Sequence, residues 1–141
     1  MTQTLSSSRV LAAVQDGVLQ HGTLAIDAVP EKFKTTTAAY WRRNGIQFTK
    51  AATTALVFTL NHIITASTFG IVLVQITDAG VIATKVPATT QAYATAALAL
   101  AALPAVDAAN VALGYIAIAN NAGDWTANTD DLTAASDVTT A

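Results

Sequence analysis

Residues 97–132, ALALAALPAVDAANVALGYIAIANNAGDWTANTDDL, contain the patterns that most strongly constrain the fold. The alanine run at their start has no glycine or proline and indicates a helix, since alanine has the highest intrinsic helix propensity. Pro104 ends that run, and the segment from Val111 to Ala119 indicates a β-strand. Residues 120–123, Asn-Asn-Ala-Gly, form a predicted turn ahead of a polar tail rich in Thr, Asp and Ala.

The predicted helix covers about residues 91–103, with Thr90 as its N-terminal cap. Five side chains fall on one helical stripe: Tyr93, Ala96, Ala97, Leu100 and Leu103. Leu98 lies off this stripe. Because the helix is apolar nearly all round, we expect it to be buried, either against the sheet of its own domain or against symmetry-related copies. The stripe is therefore the predicted self-association surface.

The chain before the helix has the pattern of short strands separated by turns about every ten residues, which indicates a sandwich or barrel. Predicted strands cover residues 23–29, 35–41, 46–50, 55–60, 63–68, 71–77 and 81–86. Asn44-Gly45 is a preferred type I′ pair, because both positions need positive φ, and predicts a hairpin. The β-branched run at 71–77 suits a strand covered on both faces. The expected fold is a mainly β, sandwich- or barrel-like antiparallel domain with one Ala-rich helix.

The expected domain organisation is simple. Residues 1–20 form either an N-terminal arm or a short helix, since Val10, Val14 and Val18 repeat at helical spacing while Gly17 weakens that pattern. Residues 21–141 form a single β-rich domain with the helix embedded in it, because 141 residues suit one domain and no linker divides them. The N-terminus lacks the basic and apolar regions of a secretory signal.

The surface is expected to carry unusually few charges. Charged residues make up 11% of the chain and hydrophobic ones 52%, with a net charge of −2, whereas about 25% charged is usual. The chain lacks the basic footprint of a nucleic-acid-binding protein, and no apolar run reaches the ~20 residues of a membrane span. We therefore expect neither nucleic acid nor membrane as a partner. A surface covered by copies of the chain or by another protein is favoured over a free, Thr-rich monomer.

The residues give no pattern typical of an enzyme. His21 and His62 stand alone, outside metal-ligand spacing, and are predicted to be turn or surface residues. Asp130 and Asp131, with Asp124 nearby, lie in a polar tail where turn and cap roles are common. The chain has no cysteine and therefore no thiolate site. We predict no catalytic residue, no metal site and no cofactor.

Tyr40, Trp41, Arg42 and Arg43 form a second candidate interaction site. They precede the predicted Asn-Gly turn and include the only adjacent cations of the sequence. Trp, Tyr and Arg are enriched among the residues that dominate binding energy at protein interfaces, so one interpretation is contact with an acidic partner surface. The alternative is a solvated hairpin tip with its aromatic residues anchored beneath it.

The segment after the predicted helix resembles a pattern shared by small structural proteins of tailed-phage particles, among them capsid decoration (cement) proteins and head fibres. That pattern is Leu-Pro-Ala, a polar spacer, Val-x-Leu-Gly-Tyr-Ile, a Gly-aromatic turn and Thr-x-x-Leu. The matching residues are Leu103, Pro104, Ala105, Val111, Leu113, Gly114, Tyr115, Ile116, Gly123, Trp125, Thr129 and Leu132. The resemblance implies a virion protein, made in the host cytoplasm, that binds the major capsid protein as a homotrimer on the capsid surface and stabilises the head.

Two alternative functions fit the same residues. The segment is also similar to fibre and tail components, which permits a tail or head-fibre anchoring module. A Thr-rich β domain with Tyr40, Trp41 and Trp125 exposed would suit stacking on sugar rings, as in a carbohydrate-binding domain. Retention on polysaccharide would identify that function, whereas saturable binding to empty shells would identify a decoration protein.

Overall fold

The fold is mainly β, as the sequence predicts. The structure, a computed structural model, describes residues 16–133 and the main chain of the strand at 137–140. Strands account for 45% of the residues, and the described part contains one short helix. The strands are β1 Gly17–Gln20, β2 Leu24–Ile26, β3 Phe33–Thr35, β4 Ala39–Arg43, β5 Ile46–Lys50, β6 Ile63–Ile64, β7 Thr68–Thr77, β8 Ile82–Lys85, β9 Thr90–Gln91, β10 Asn110–Asn120, β11 Trp125–Thr126 and β12 Asp137–Thr140, and the helix is α1, Ala96–Ala101.

The two longest strands, β7 and β10, pair along their length at the centre of an antiparallel sheet in the order β12-β10-β7-β8. Every residue at 70–76 is buried, which confirms the prediction of a strand covered on both faces. The predicted strand at 111–119 is also confirmed and extends one residue further at each end. A bulge between Ala112 and Gly114 interrupts its pairing with β7.

β4 and β5 form the predicted hairpin. Asn44 and Gly45 have φ angles of 49° and 76°, the two positive values that a type I′ turn requires. β1 pairs with the other side of β4, so residues 17–20 form a strand and belong to neither a free arm nor a helix. The rest of that prediction, residues 1–15, lies outside the described residues.

The remaining strands form two small sheets. β2 pairs with β3, and β6 lies between β11 and a parallel partner, β9. The predicted strands at 23–29 and 63–68 shrink to β2 and β6, and the one at 35–41 divides between β3 and β4. The described strands form no closed barrel. One buried cluster joins all four sheets, with Leu24, Phe33, Trp41, Phe58, Ile64, Val72, Val74, Ile76, Leu113, Ile116, Ile118, Trp125 and Leu132 among its members.

The predicted strand at 55–60 is wrong. Within the described residues, its β contact is limited to a single bridge to β3. Ala55 has a φ angle of 56°, which interrupts the extended chain. The main-chain N–H of Phe58 then donates to Asn128 Oδ1 at 2.8 Å, and Asn128 Nδ2 donates back to Phe58 O at 2.9 Å. A side chain 70 residues away therefore takes the place of a neighbouring strand.

The predicted helix is wrong in its length, and of the two expected ways of burying it, coverage by the sheet of its own domain reaches only Ala99. α1 has six residues and begins after Thr95, whose Oγ1 accepts from Leu98 N at 3.2 Å, so Thr90 is not its cap. Gln91 is held in β9 instead, because its buried amide pairs with both main-chain groups of Ile71 at 2.8 and 3.1 Å. Ala99 is the one buried residue of α1.

We expect Gln91→Leu to lower the free energy of unfolding by about 1–3 kcal/mol. The leucine would leave the N–H and C=O of Ile71 unpaired inside the protein, and buried unpaired groups cost about that much. Urea unfolding followed by tryptophan fluorescence measures the change. Gln20→Leu is the matched control at an exposed site and should stay within about 0.5 kcal/mol of the wild type. Equal effects of the two substitutions would contradict this role of Gln91.

Candidate interaction surface

The outer side of α1 is an exposed apolar surface. Ala97, Leu98, Leu100 and Ala101 are exposed there, with Leu98 54% and Leu100 46% accessible. These four residues are called the helix patch. An exposed apolar cluster is uncommon on a monomer and is typical of an interaction site.

The structure rearranges the predicted stripe. Ala96, Ala97 and Leu100 are exposed, and Ala96 also borders a cleft between α1 and the central sheet. Tyr93 lies outside the helix and forms a bridge with Phe69 of β7, and Leu103 is half-buried after the helix end. Helical periodicity places Leu98 off the stripe, yet in the structure Leu98 is the more exposed of the two leucines of α1. The length of α1 explains the difference, because a six-residue helix samples fewer than two turns.

The helix patch lies in a long segment without charge. No charged residue occurs between Lys85 and Asp107, and those two form an ion pair with Lys85 Nζ 2.7 Å from Asp107 Oδ1. Lys85 also donates to Ala105 O at 3.0 Å, and Gln75 Nε2 donates to Asp107 Oδ2 at 2.6 Å. The loop after the helix is thereby attached to β7 and β8, and the hydrogen bond from Lys85 holds the pKa of Asp107 below its ordinary value.

The second predicted site, Tyr40–Arg43, is divided between the two faces of β4. Trp41 is 1% exposed and stacks on Phe48 with a ring-centroid distance of 5.6 Å, so its predicted role in partner contact is wrong. Tyr40 and Arg42 lie on the opposite face and are half-buried. Arg43 Nε lies 3.1 Å from Asp78 Oδ2, and Arg43 Nη1 donates to Ala108 O at 3.3 Å. Alternation along the strand explains the division, since successive side chains point to opposite faces.

The two tryptophans are unavailable for sugar stacking. Trp125 is 3% exposed, and its ring packs against Phe58 and His62 at centroid distances of 5.9 and 5.7 Å. Its indole N–H donates to Asp131 O at 3.1 Å. Trp41 is buried as well. At these two positions, the described surface therefore lacks the exposed aromatic rings expected of a carbohydrate-binding domain.

His62 is fully buried, and its prediction as a turn or surface residue is wrong. Its ring lies between Phe58 and Trp125, while Nδ1 is 3.3 Å from Leu60 O. Nε2 has no hydrogen-bond partner among the described residues. Burial lowers the pKa of His62, and the contact with Leu60 offsets this only in part. His21, in contrast, is exposed with Nδ1 2.6 Å from Leu113 O.

We expect the buried His62 to make the fold sensitive to acid. Below the ordinary histidine pKa of about 6.5, the unfolded chain takes up a proton at this position before the folded chain does. The unfolded state then binds more protons, so the free energy of unfolding falls as the pH drops from about 6.5 toward the lower pKa of the folded state. Above that range His62 is neutral in both states and its contribution is constant.

Urea unfolding between pH 5 and 8 measures this effect. His62→Phe removes the titrating group and should flatten the curve in that range. His21→Gln is the control, since it leaves His62 in place and should preserve the pH dependence. An unchanged slope in His62→Phe would show that another group causes the acid sensitivity.

The acidic residues of the tail have turn roles. Asp124 Oδ1 accepts from Ala66 N at 2.9 Å, and Asp130 Oδ2 accepts from Thr126 N at 2.7 Å. With Asp131 they line an open depression beside β11. Within the described residues, no three His, Cys, Asp or Glu side chains are grouped as they would be around a metal ion.

The segment that resembles phage proteins supplies the centre of the fold. Its Val-x-Leu-Gly-Tyr-Ile part lies in β10, its Gly-aromatic turn leads into β11, and Leu132 is buried with its N–H donating to Pro30 O at 2.8 Å. Comparison of the chain with models of known protein families, with curated proteins and with solved structures finds no match. The resemblance to phage structural proteins therefore stays a prediction. No helix in residues 16–133 is long and apolar enough to cross a bilayer.

Proposed function

We propose that this chain is a non-enzymatic structural protein of a tailed-phage virion, a decoration protein that binds the outer surface of the major capsid protein lattice and stabilises the head. The observation that carries the proposal is the helix patch, which exposes leucine in a segment of the chain without charge. The resemblance of the segment after the helix to phage structural proteins is the reason for proposing a tailed-phage particle. A protein with an under-charged, partly apolar surface is suited to being covered in an assembly.

The helix patch is the proposed self-association surface, with a homotrimer as the assembly. Three copies meeting around an axis would bury the leucines of α1, and the small alanine side chains would let the main chains approach closely. No charged side chain lies between Lys85 and Asp107 to oppose this contact. Burying apolar area is the main favourable contribution in such associations.

The face of the β4–β5 hairpin that carries Tyr40 and Arg42 is the proposed capsid contact. Cross-strand pairing places Thr49 beside Tyr40 and Gln47 beside Arg42, which gives a half-exposed aromatic and a cation on a polar background. This composition is typical of residues that dominate interface energy. Head stabilisation would follow by mass action, because a partner that binds only the assembled shell shifts the equilibrium toward it.

The mass of the purified protein, measured by light scattering on a sizing column, tests self-association. We expect about three times the chain mass of 14.5 kDa. Leu98→Ser/Leu100→Ser should give a folded monomer, because it removes the largest apolar side chains of the patch. Leu60→Ser/Val81→Ser is the matched control at equally exposed sites and should stay trimeric. A wild-type monomer, or equal behaviour of both variants, would contradict the helix-patch assembly.

Binding to purified empty phage shells tests the function itself. We expect saturable binding of the wild type and at least tenfold weaker binding of Arg42→Glu, since a lost interface charge that becomes repulsive costs more than about 1.4 kcal/mol. Lys32→Glu is the control with the same charge change on another loop. Binding to isolated tails or fibres but not to shells would support the anchoring alternative, and retention on polysaccharide would support a carbohydrate-binding domain.

A further inference from the structure

β5 is an edge strand whose outer main-chain groups are unpaired. The sheet order is β1-β4-β5, and the two-residue turn makes Arg43 and Ile46 the first hydrogen-bonded pair of the hairpin. Alternation along an antiparallel pair then directs the N–H and C=O of Gln47 and Thr49 away from β4. Within the described residues these four groups have no hydrogen-bond partner.

Two other sheet edges, those of β8 and β3, are protected. On β8, the N–H of Thr84 donates to Thr59 Oγ1 at 2.9 Å, and Thr59 N–H donates to Thr84 Oγ1 at 2.8 Å. On β3, the N–H of Thr35 donates to Thr53 O at 2.9 Å. β5 has no such cover, no proline and no bulge, and its one charged residue is Lys50 at its end. Natural proteins usually protect an edge by one of these means, because an open edge pairs with another strand.

We propose that β5 pairs with β5 of a second copy of this chain, antiparallel about a two-fold axis, with Phe48 opposite Phe48. In this register each of the five residues of one strand has a partner in the other strand. Gln47 of each copy lies opposite Thr49 of the other copy. The four outward groups of each copy thereby form four main-chain hydrogen bonds across the axis. The result is a continuous six-stranded sheet, β1-β4-β5 joined to β5-β4-β1 of the second copy.

The side chains of β5 suit this self-pairing. The two Phe48 rings meet at a non-hydrogen-bonded pair, where cross-strand side chains lie closest and aromatic pairs are favourable. Ile46, which is 60% exposed, lies opposite Lys50, so no like charges face each other and the lysine stem covers the isoleucine. Because Trp41 and Phe48 are paired and stacked, the apolar face of the sheet continues into the second copy.

The proposed contact is small. Two five-residue strands bury much less than the ~1,600 Å² of a standard stable interface. We therefore expect pairing at high protein concentration, or where copies are held close together, rather than a tight dimer in dilute solution. The inference does not rest on the proposed function and involves an element separate from the helix patch.

Disulfide trapping tests the register directly, because the chain has no cysteine of its own. Ile46→Cys/Lys50→Cys places each new thiol opposite its counterpart at a non-hydrogen-bonded pair, where Cα atoms are about 4.5 Å apart and a disulfide can form. Mild oxidation of the concentrated protein should give a covalent dimer linked from position 46 to position 50. Leu60→Cys/Val81→Cys is the control at similar exposure. Equal cross-linking of both variants, or links other than 46 to 50, would overturn the proposal.

A main-chain substitution tests the hydrogen bonds. Thr49→Pro removes the outward N–H without removing a bond to β4, whereas Thr49→Val changes the side chain and retains that N–H. In sedimentation at increasing concentration, we expect the proline variant to associate about tenfold more weakly than the valine variant, since each dimer loses two hydrogen bonds. Equal association of the proline and valine variants would refute the proposed β5 pairing. A wild type that shows no concentration-dependent pairing, because another segment or protein occupies β5, would refute it as well. Leu98→Ser/Leu100→Ser should leave this pairing intact, which separates the two surfaces.

Discussion

Replacing Trp41 with alanine is expected to lower the free energy of unfolding by about 3–5 kcal/mol, the usual range for truncating a buried tryptophan. Trp41 is among the largest fully buried side chains. It pairs with Val18 of β1 on one side and with Phe48 of β5 on the other, so its loss leaves a cavity beneath the whole three-stranded sheet. Urea unfolding gives the change, with Trp125 as the remaining fluorescent reporter because the chain has two tryptophans.

Tyr40→Ala is the matched control for Trp41→Ala. Tyr40 is the adjacent residue of β4, points to the opposite face and is only partly buried, so its truncation should cost less than half as much stability. The sequence alone leaves both positions open, with Trp41 either an exposed contact residue or an anchor beneath the hairpin tip. A Trp41→Ala variant of wild-type stability that fails to bind shells would restore the contact interpretation and contradict the buried position.

Replacing Trp125 with alanine is expected to cost about 3–5 kcal/mol as well, for a different reason. Its ring closes an aromatic cluster with Phe58 and His62, and its indole N–H donates to Asp131 O. Truncation removes the cover from His62 and frees the tail segment that leads to Leu132. We therefore expect the acid sensitivity due to His62 to diminish in this variant, because a hydrated imidazole regains its ordinary pKa.

Trp125→Phe separates packing from hydrogen bonding. Phenylalanine retains most of the apolar volume and loses the indole N–H, so we expect a cost of about 1–2 kcal/mol from one lost hydrogen bond and a small cavity. Urea unfolding with Trp41 as reporter gives the loss in free energy of unfolding for Trp125→Phe and for Trp125→Ala. The ratio of these two losses shows whether ring packing or the hydrogen bond contributes more. Equal losses for phenylalanine and alanine would mean that the hydrogen bond to Asp131, and not the aromatic cluster, holds β11 in place.

Strands with a strong local signal were predictable, and elements held by distant side chains were not. The hairpin turn at Asn44-Gly45 and the strands at 71–77 and 111–119 are where the sequence predicts them. The helix predicted from Thr90 onward failed because Gln91 bonds to Ile71, 20 residues earlier. The alanine-rich composition favours a helix but cannot compete with two buried hydrogen bonds, since propensity differences amount to tenths of a kcal/mol per residue.

The candidate surfaces were predicted in part. The sequence predicts interaction sites in the alanine-rich segment and at Tyr40–Arg43. The structure exposes residues of the first, whereas Tyr40, Arg42 and Arg43 are half-buried and Trp41 is buried. The sequence pattern did not select Leu98, because the stripe follows a predicted helix that is longer than α1. The open edge of β5 had no sequence signal at all, since pairing on only one side depends on where the rest of the chain lies.

The sequence by itself determined the class of the fold, the hairpin turn and the two central strands, because φ preferences and β-branched side chains act within a few residues. It also determined the uncharged character of the segment between Lys85 and Asp107. The tertiary structure alone decided which apolar side chains are covered. Trp41, Trp125 and His62 are buried while Leu98 and Leu100 are exposed, and burial depends on which distant element packs above a residue, a property that no local pattern encodes.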